Sequence, residues 1–135
     1  MLLKDIVALL NAKTLNLYDA SRLNREIIYI SSTDLMSDAL AMVCTTPSQT
    51  VLLTGLCNAQ SLRTAEMMDI QTIIYCRDKA LSEENCELAD DMEINIFSTH
   101  YTMFDAIGLL YTNGLKTATK LWYKKFIPLK LKIIA

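Results

Sequence analysis

Short apolar runs alternate with amphipathic segments along most of the chain. Nearly continuous apolar runs, typical of strands covered on both faces, occupy 26–31, 50–54, 72–76 and 94–98. Between and after them, apolar positions recur at helical spacing in 34–43, 58–69, 83–93 and 102–111. A first amphipathic helix at 2–10 and a short strand at 14–17 precede this series. The alternation predicts an α/β fold: a single domain with a mainly parallel sheet of about four to five strands, flanked by helices.

Capping residues mark where the predicted helices begin and end. Ser31, Ser32 and Thr33 are candidate N-caps for a helix that starts at Asp34. Asn58, Ser82 and Thr102 are the candidates for the three later helices, and Asn113-Gly114 is typical of the end of the last.

Length and composition fit one globular domain. The chain has 135 residues, of which 52% are hydrophobic and 21% are charged. Its apolar runs are shorter than the roughly 20 residues that cross a bilayer, and its first residues do not have the layout of a signal peptide. We expect no membrane span and a cytoplasmic protein.

Charge divides the chain into an acidic body and a basic tail. Residues 1–114 carry seven Lys and Arg against fifteen Asp and Glu, and residues 115–135 carry six Lys and no acid. Phosphate backbones bind clustered positive charge, so a nucleic-acid surface is not expected on the body, and only the tail could bind a polyanion. The tail is either a packing arm or poorly ordered extension, or a segment that contacts a membrane or polyanion. The spacing of residues in the tail predicts a helix, with Lys116, Lys120 and Lys124 on one face, and then a short edge strand after Pro128. We therefore divide the chain into a domain at 1–114 and a Lys-rich extension at 115–135.

Metal and cofactor chemistry find little support in the sequence. The four cysteines, Cys44, Cys57, Cys76 and Cys86, form no C-x-x-C pair and are expected to be reduced, and the acidic residues of 83–93 fit a solvated helix face. We predict no metal and no cofactor. His100 is the single histidine, and no nucleophile motif or phosphate-binding glycine loop accompanies it.

The residues just after each predicted strand are polar or glycine, and parallel strands bring them to one edge of the sheet. They form a candidate ligand site of Ser32, Asp34, Thr54, Gly55, Asn58, Arg77 and Thr99. Helix N-termini and an arginine are suited to a small anion such as a nucleotide phosphate. The alternatives are that these residues are only caps and turns, or that a small enzyme uses Asp34, Ser98 and His100 in acid–base roles.

Several segments of residues 1–114 resemble the DRTGG domain. They are Asn24-Arg25-Glu26 before a strand, Ser32 to Leu40, Thr54-Gly55, Ile94 to Thr99, and Phe104 to Tyr111. Arg25, Thr54 and Gly55 match the named motif. The chain departs from it at Asn24, where the family has Asp, at Leu56, where the second glycine would stand, and at Cys76-Arg77-Asp78, where glycine is expected.

The resemblance implies a small α/β regulatory domain that forms homodimers and has no established catalytic role. In that family the domain occurs alone, beside phosphate acetyltransferases, or between CBS domains of regulated pyrophosphatases, and it is similar to the N-terminal domain of HPr kinase, which lacks that kinase's catalytic centre. We therefore expect a homodimeric, non-enzymatic regulatory or interaction domain that senses a small anionic ligand or binds a partner protein. Arg25, at the amino end of its strand, is expected to pair with an acid for structure or dimerisation.

Overall fold

The computed structural model describes residues 1–41 and 46–118, which form five α-helices, six strands and two short 3₁₀ helices. The α-helices are α1 (Leu3–Leu9), α2 (Met36–Ala41), α3 (Ala59–Met67), α4 (Glu83–Asp91) and α5 (Met103–Thr112). The strands are β1 (Lys13–Asn16), β2 (Tyr29–Ser32), β3 (Thr50–Thr54), β4 (Thr72–Tyr75), β5 (Asn95–Ser98) and β6 (Lys116–Thr117). The 3₁₀ helices cover Ala20–Asn24 and Pro47–Gln49.

The sheet confirms the predicted α/β class. Its strand order is β1-β5-β4-β3-β2-β6, and every pairing is parallel except that of β1 with β5. The sixth strand, β6, begins at Lys116, where the sequence predicted a helix; the N–H of Lys116 donates instead to the Ile28 carbonyl at 2.9 Å. The remainder of the predicted tail helix and its edge strand lie outside the described residues.

Apolar side chains cover both faces of the central strands. On one face, Val51, Leu53, Ile74 and Phe97 pack with residues of α1 and α5. On the other, Leu52, Ile73, Tyr75 and Ile96 pack with residues of α3 and α4. Burial on both faces is why these strands have nearly continuous apolar sequences rather than alternating ones.

Two predicted boundaries near the amino end of the parallel series are wrong. The strand predicted from Glu26 begins at Tyr29. Glu26 lies outside it because its backbone forms an isolated bridge with Leu2, and the Ile28 N–H donates to the Gln49 carbonyl, one residue before β3 begins. The helix predicted from Asp34 begins at Met36, since the Leu35 N–H donates to the Thr33 hydroxyl at 3.1 Å in a local turn. The predicted end of that helix, at Val43, lies outside the described residues.

Four helices end in the same motif. After α1, α3, α4 and α5 the chain enters the left-handed region at Asn11 (φ 47°), Asp69 (φ 59°), Glu93 (φ 61°) and Gly114 (φ 91°). After α3, the N–H of Asp69 donates to the Glu66 carbonyl at 3.0 Å, and the N–H of Ile70 donates to the Ala65 carbonyl at 2.9 Å. The buried Ile70 then packs on the core, as in a Schellman motif. Gly114 was predicted in this role, whereas the other three ends use residues with side chains.

Candidate functional site

Three of the predicted site residues meet where β3 ends. The Gly55 N–H donates to Asp34 Oδ1 at 2.6 Å, and the Thr54 hydroxyl donates to the same oxygen at 3.2 Å. The Thr54 hydroxyl oxygen also accepts the Leu56 N–H at 3.1 Å. A carboxylate that joins the ends of β2 and β3 therefore holds the first amide of the β3–α3 loop.

Arg77 reaches the same position from the end of β4. A β-carbon placed on Gly55 would lie 2.8 Å from Arg77 Nη2 and 3.2 Å from Asp34 Oδ1. The guanidinium and the carboxylate thus both border the space that a β-carbon would occupy, and any larger residue at position 55 would push against both. They do not form an ion pair with each other.

The backbone at Arg77 is strained and firmly held. Arg77 and Asp78 are consecutive residues with positive φ, 65° and 51°, a region that non-glycine residues rarely enter. Their N–H groups donate to the Tyr101 and Thr99 carbonyls, each at 3.0 Å, which fastens this turn to the chain after β5. The exposed guanidinium makes no hydrogen bond or ion pair with any other described residue. A turn held by two hydrogen bonds therefore presents, beside Gly55, a positive charge that has no partner in the described part of the chain.

Charge near this turn acts on the Cys76 thiol. The pKa of the Cys76 thiol is raised to about 11, chiefly by burial and also by the Asp34 carboxylate, while Arg77 opposes the shift. Cys76 is fully buried, so it stays a neutral thiol at physiological pH.

The other predicted site residues serve elsewhere. Asn58 caps α3, accepting the Ser61 N–H at 3.0 Å. The buried Thr99 hydroxyl donates to the Leu10 carbonyl at 2.6 Å, fixing the end of α1. Ser32 is in register with Leu53, so it lies on the face opposite Thr54, in a cavity of about 240 Å³ beside α5. The structure brings together Asp34, Thr54, Gly55 and Arg77, whereas the side chains of Ser32, Asn58 and Thr99 lie or bond elsewhere.

Two arginines lie at the opposite edge of the sheet. Arg25 donates to the Gln71 side-chain oxygen, so within the described chain its partner is an amide rather than the expected acid. Arg22, which the sequence analysis missed, is buried and donates to the Gln71 and Glu93 carbonyls, tying together the loops before β4 and β5. The sequence signal that could have identified Arg22 is Asp19, three residues earlier, because an acid at this spacing can pair with the arginine. Asp19 Oδ2 lies 3.7 Å from Arg22 Nε.

The residues of the alternative enzymatic reading do not form a connected group. His100 is exposed and its ring lies beside that of Tyr101, with centroids 4.2 Å apart, and it makes no hydrogen bond or ion pair with another described residue. The Ser98 hydroxyl is buried and has no hydrogen-bond partner in the described part of the chain. Asp34 is engaged with Thr54 and Gly55. A nucleophile, base and orienting acid linked by hydrogen bonds are therefore not assembled here among the described residues.

Neither a metal-binding cluster nor a membrane-spanning helix is found among the described residues. In 1–41 and 46–118, no three His, Cys, Asp or Glu side chains gather closely enough to ligate a metal ion. None of the helices within these ranges has the length and apolar composition needed to cross a membrane.

Comparison with solved structures supports the fold. The chain is similar to the CBS and DRTGG domains of the regulatory region of a Clostridium perfringens pyrophosphatase complexed with activator, diadenosine tetraphosphate. The TM-score is 0.62 at 17% sequence identity, over 90% of this chain and 49% of that one. The chain therefore spans about half the length of that structure. The likeness confirms, for the fold, the resemblance to the DRTGG domain.

No family model and no curated protein matches the chain.

Proposed function

We propose that this protein is a non-enzymatic regulatory domain that binds a small phosphorylated ligand, such as a nucleotide, at the carboxyl edge of its sheet. The observation that carries the proposal is the exposed Arg77 guanidinium, unpaired among the described residues and held beside Gly55 by a strained, hydrogen-bonded turn. Strained backbone is commonly retained at binding sites, where it positions a side chain.

The groups at this edge suit a phosphoryl ligand. Arginine pairs with two phosphate oxygens at once, and the Gly55 N–H and Thr54 hydroxyl supply further donors. Gly55 has no side chain to keep a ligand away from its amide. The diadenosine tetraphosphate bound to the pyrophosphatase regulatory region supports nucleoside polyphosphates as the first class to test.

Thermal unfolding of the full chain tests this site against diadenosine tetraphosphate, ATP and AMP. A ligand that binds the folded state raises the melting temperature, and the rise grows with ligand concentration. We expect at least one of these nucleotides to stabilise the wild type and to have little effect on Arg77→Ala. Arg63→Ala is the matched control, because Arg63 is also exposed but lies in α3. A flat response of the wild type, or equal shifts in wild type and Arg77→Ala, would contradict the proposal.

We also propose that the domain is a homodimer that uses the outer face of α5. Phe104 and Tyr111 are 85% and 68% exposed and lie on one helical face with Gly108 between them. Exposed aromatic side chains grouped on one face are typical of interfaces.

Light scattering coupled to size exclusion tests the dimer. We expect the wild type to elute as a dimer and the Phe104→Lys/Tyr111→Lys variant as a folded monomer. Met67→Lys is the control, since Met67 is 71% exposed on α3 and its replacement should leave the dimer intact. A wild type that stays monomeric at high concentration would rule out this arrangement.

A further inference from the structure

Asp34 holds the position that a ligand anion needs. Its Oδ1 accepts a short hydrogen bond from the Gly55 N–H at 2.6 Å, together with one from the Thr54 hydroxyl at 3.2 Å, and the charge of the carboxylate strengthens both. In α/β folds, the first amides after a parallel strand are the donors that face anionic ligands. Here a carboxylate from the same chain already accepts from that amide.

The positive half of the site remains open. Arg77 Nη2 lies 2.8 Å from the position that a β-carbon on Gly55 would take, and the Arg77 side chain is exposed and forms no ion pair with Asp34. A negative charge that satisfied all the donors would have to contact the guanidinium, the Gly55 N–H and the Thr54 hydroxyl together. Asp34 Oδ1 contacts only the last two.

We propose that Asp34 is a built-in competitor for the ligand site, displaced when a phosphoryl group binds. The inference rests on the ligand site proposed above. A phosphoryl group has three acceptor oxygens and a charge near −2, so it contacts Arg77 and the Gly55 amide simultaneously, which a single carboxylate oxygen does not. The incoming group takes the two hydrogen bonds from Asp34, and like-charge repulsion drives the freed carboxylate away.

Displacement has a structural consequence, because Asp34 stands two residues before α2. The start of α2 is held at this edge by the Asp34 bonds and by the Thr33 hydroxyl, which accepts the Leu35 N–H. α2 packs against α3, and a cavity of about 250 Å³ lined by Met36, Leu40 and Met67, among others, lies between the two helices. The segment before α2 is tied to β3 by the two Asp34 bonds and by the Thr33 N–H, which donates to the Leu53 carbonyl at 3.2 Å. Ligand binding removes the two Asp34 bonds and so loosens the start of α2, which converts occupancy of the site into a change on this helical surface.

Titration calorimetry of the full chain with inorganic pyrophosphate separates this role from that of a ligand-binding residue. Replacing a competitor strengthens binding, whereas replacing a contact weakens it. We expect Asp34→Ala to bind pyrophosphate about tenfold more tightly than wild type, the scale of one charge-assisted hydrogen bond. Asp34→Asn, which keeps an acceptor but removes the charge, should fall between them. Asp38→Asn, the same charge change within α2, is the control and should change affinity less than about twofold.

Hydrogen exchange supplies the second measurement. Peptides covering 33–41 should exchange faster when pyrophosphate saturates the wild type, and faster without ligand in Asp34→Ala. Thermal unfolding establishes that each variant folds. If Asp34→Ala does not fold, the pyrophosphate affinity of Asp34→Asn decides the question alone.

The outcomes distinguish the two proposals. Weaker pyrophosphate binding in folded Asp34 variants, with wild-type binding still dependent on Arg77, would overturn the competitor role and leave the ligand site standing. Binding that does not depend on Arg77 would overturn the site itself. Absence of pyrophosphate binding in both the wild type and the Asp34 variants would overturn the competitor role, whereas the ligand site is then decided by the nucleotide titrations.

Discussion

Arg77 occupies a backbone position that suits glycine, and the resemblance to the DRTGG domain also leads one to expect glycine there. An arginine at φ 65° carries a conformational cost that glycine does not. The sequence alone placed Arg77 after the third parallel strand but gave no indication of this backbone, because left-handed conformations at non-glycine residues depend on tertiary hydrogen bonds. Those bonds come from the Thr99 and Tyr101 carbonyls.

Replacing Arg77 by glycine should separate stability from binding. Arg77→Gly should raise the free energy of unfolding by about 0.5–1 kcal/mol, because the strain is relieved, while nucleotide binding is lost. Arg77→Ala should lose binding without that gain. Urea unfolding of both variants measures the difference, and an Arg77→Gly variant no more stable than Arg77→Ala would show that the turn is not strained.

Ser98 offers a second test at the same scale. Its buried hydroxyl has no partner among the described residues, so Ser98→Ala should stabilise the protein by about 1 kcal/mol. Thr99→Val is the contrasting variant: it removes a hydroxyl bonded to the Leu10 carbonyl and should destabilise by about 1–3 kcal/mol. Chemical denaturation measures both. A loss of stability in Ser98→Ala would mean that its hydroxyl makes a favourable interaction.

At the scale of elements, the strands and helices followed from pattern, while their ends did not. β3, β4 and β5 lie within one residue of their predicted ranges, since runs buried on both faces leave little choice of structure. β2 and α2 start later than predicted because the Ile28 N–H bonds to the Gln49 carbonyl and the Leu35 N–H bonds to the Thr33 hydroxyl. The partners in those pairings are distant residues or nearby side chains, which a periodic pattern does not reveal. The grouping of Asp34 with Arg77 likewise depends on strand order.

The ends of the helices carry a prediction about glycine. Asp69 follows α3 in the left-handed region and its carboxylate makes no hydrogen bond or ion pair with another described residue. Asp69→Gly should therefore increase the free energy of unfolding by about 0.5–1 kcal/mol. Glu87→Gly, at an exposed position inside α4, should decrease it by a similar amount. Thermal and chemical unfolding should rank the two variants on opposite sides of wild type, and a destabilised Asp69→Gly would contradict the motif.

At the scale of the whole molecule, the buried Cys76 thiol and Tyr75 hydroxyl make the stability of the fold sensitive to alkaline pH. Burial raises the pKa of Cys76 from 9.0 to about 11, and it raises the pKa of Tyr75 in the same direction. Below about pH 9 both the folded and the unfolded chains keep these protons, so the groups cost nothing. As pH rises through 9 to 11 the unfolded chain ionises first, and stability falls.

The Cys76 contribution can be isolated by substitution. By pH 11 the unfolded thiol is ionised and the folded one only partly, which lowers the free energy of unfolding by about 2 kcal/mol. Cys76→Ala should lose less stability than wild type between pH 9 and 11, with the Tyr75 effect remaining in both. Urea unfolding across this range provides the comparison, and identical slopes in the two proteins would show that the Cys76 pKa is not raised.

The central claim is that Arg77 makes the carboxyl edge of this sheet a site for a phosphorylated regulator. Calorimetric titration of diadenosine tetraphosphate into wild type and Arg77→Ala, at low and at physiological salt, tests it most directly. The account predicts saturable binding by the wild type, weakened by salt, and affinity lower by about tenfold or more in a folded Arg77→Ala. Equal affinity in the two proteins, or no heat of binding with the wild type at either salt concentration, would contradict it.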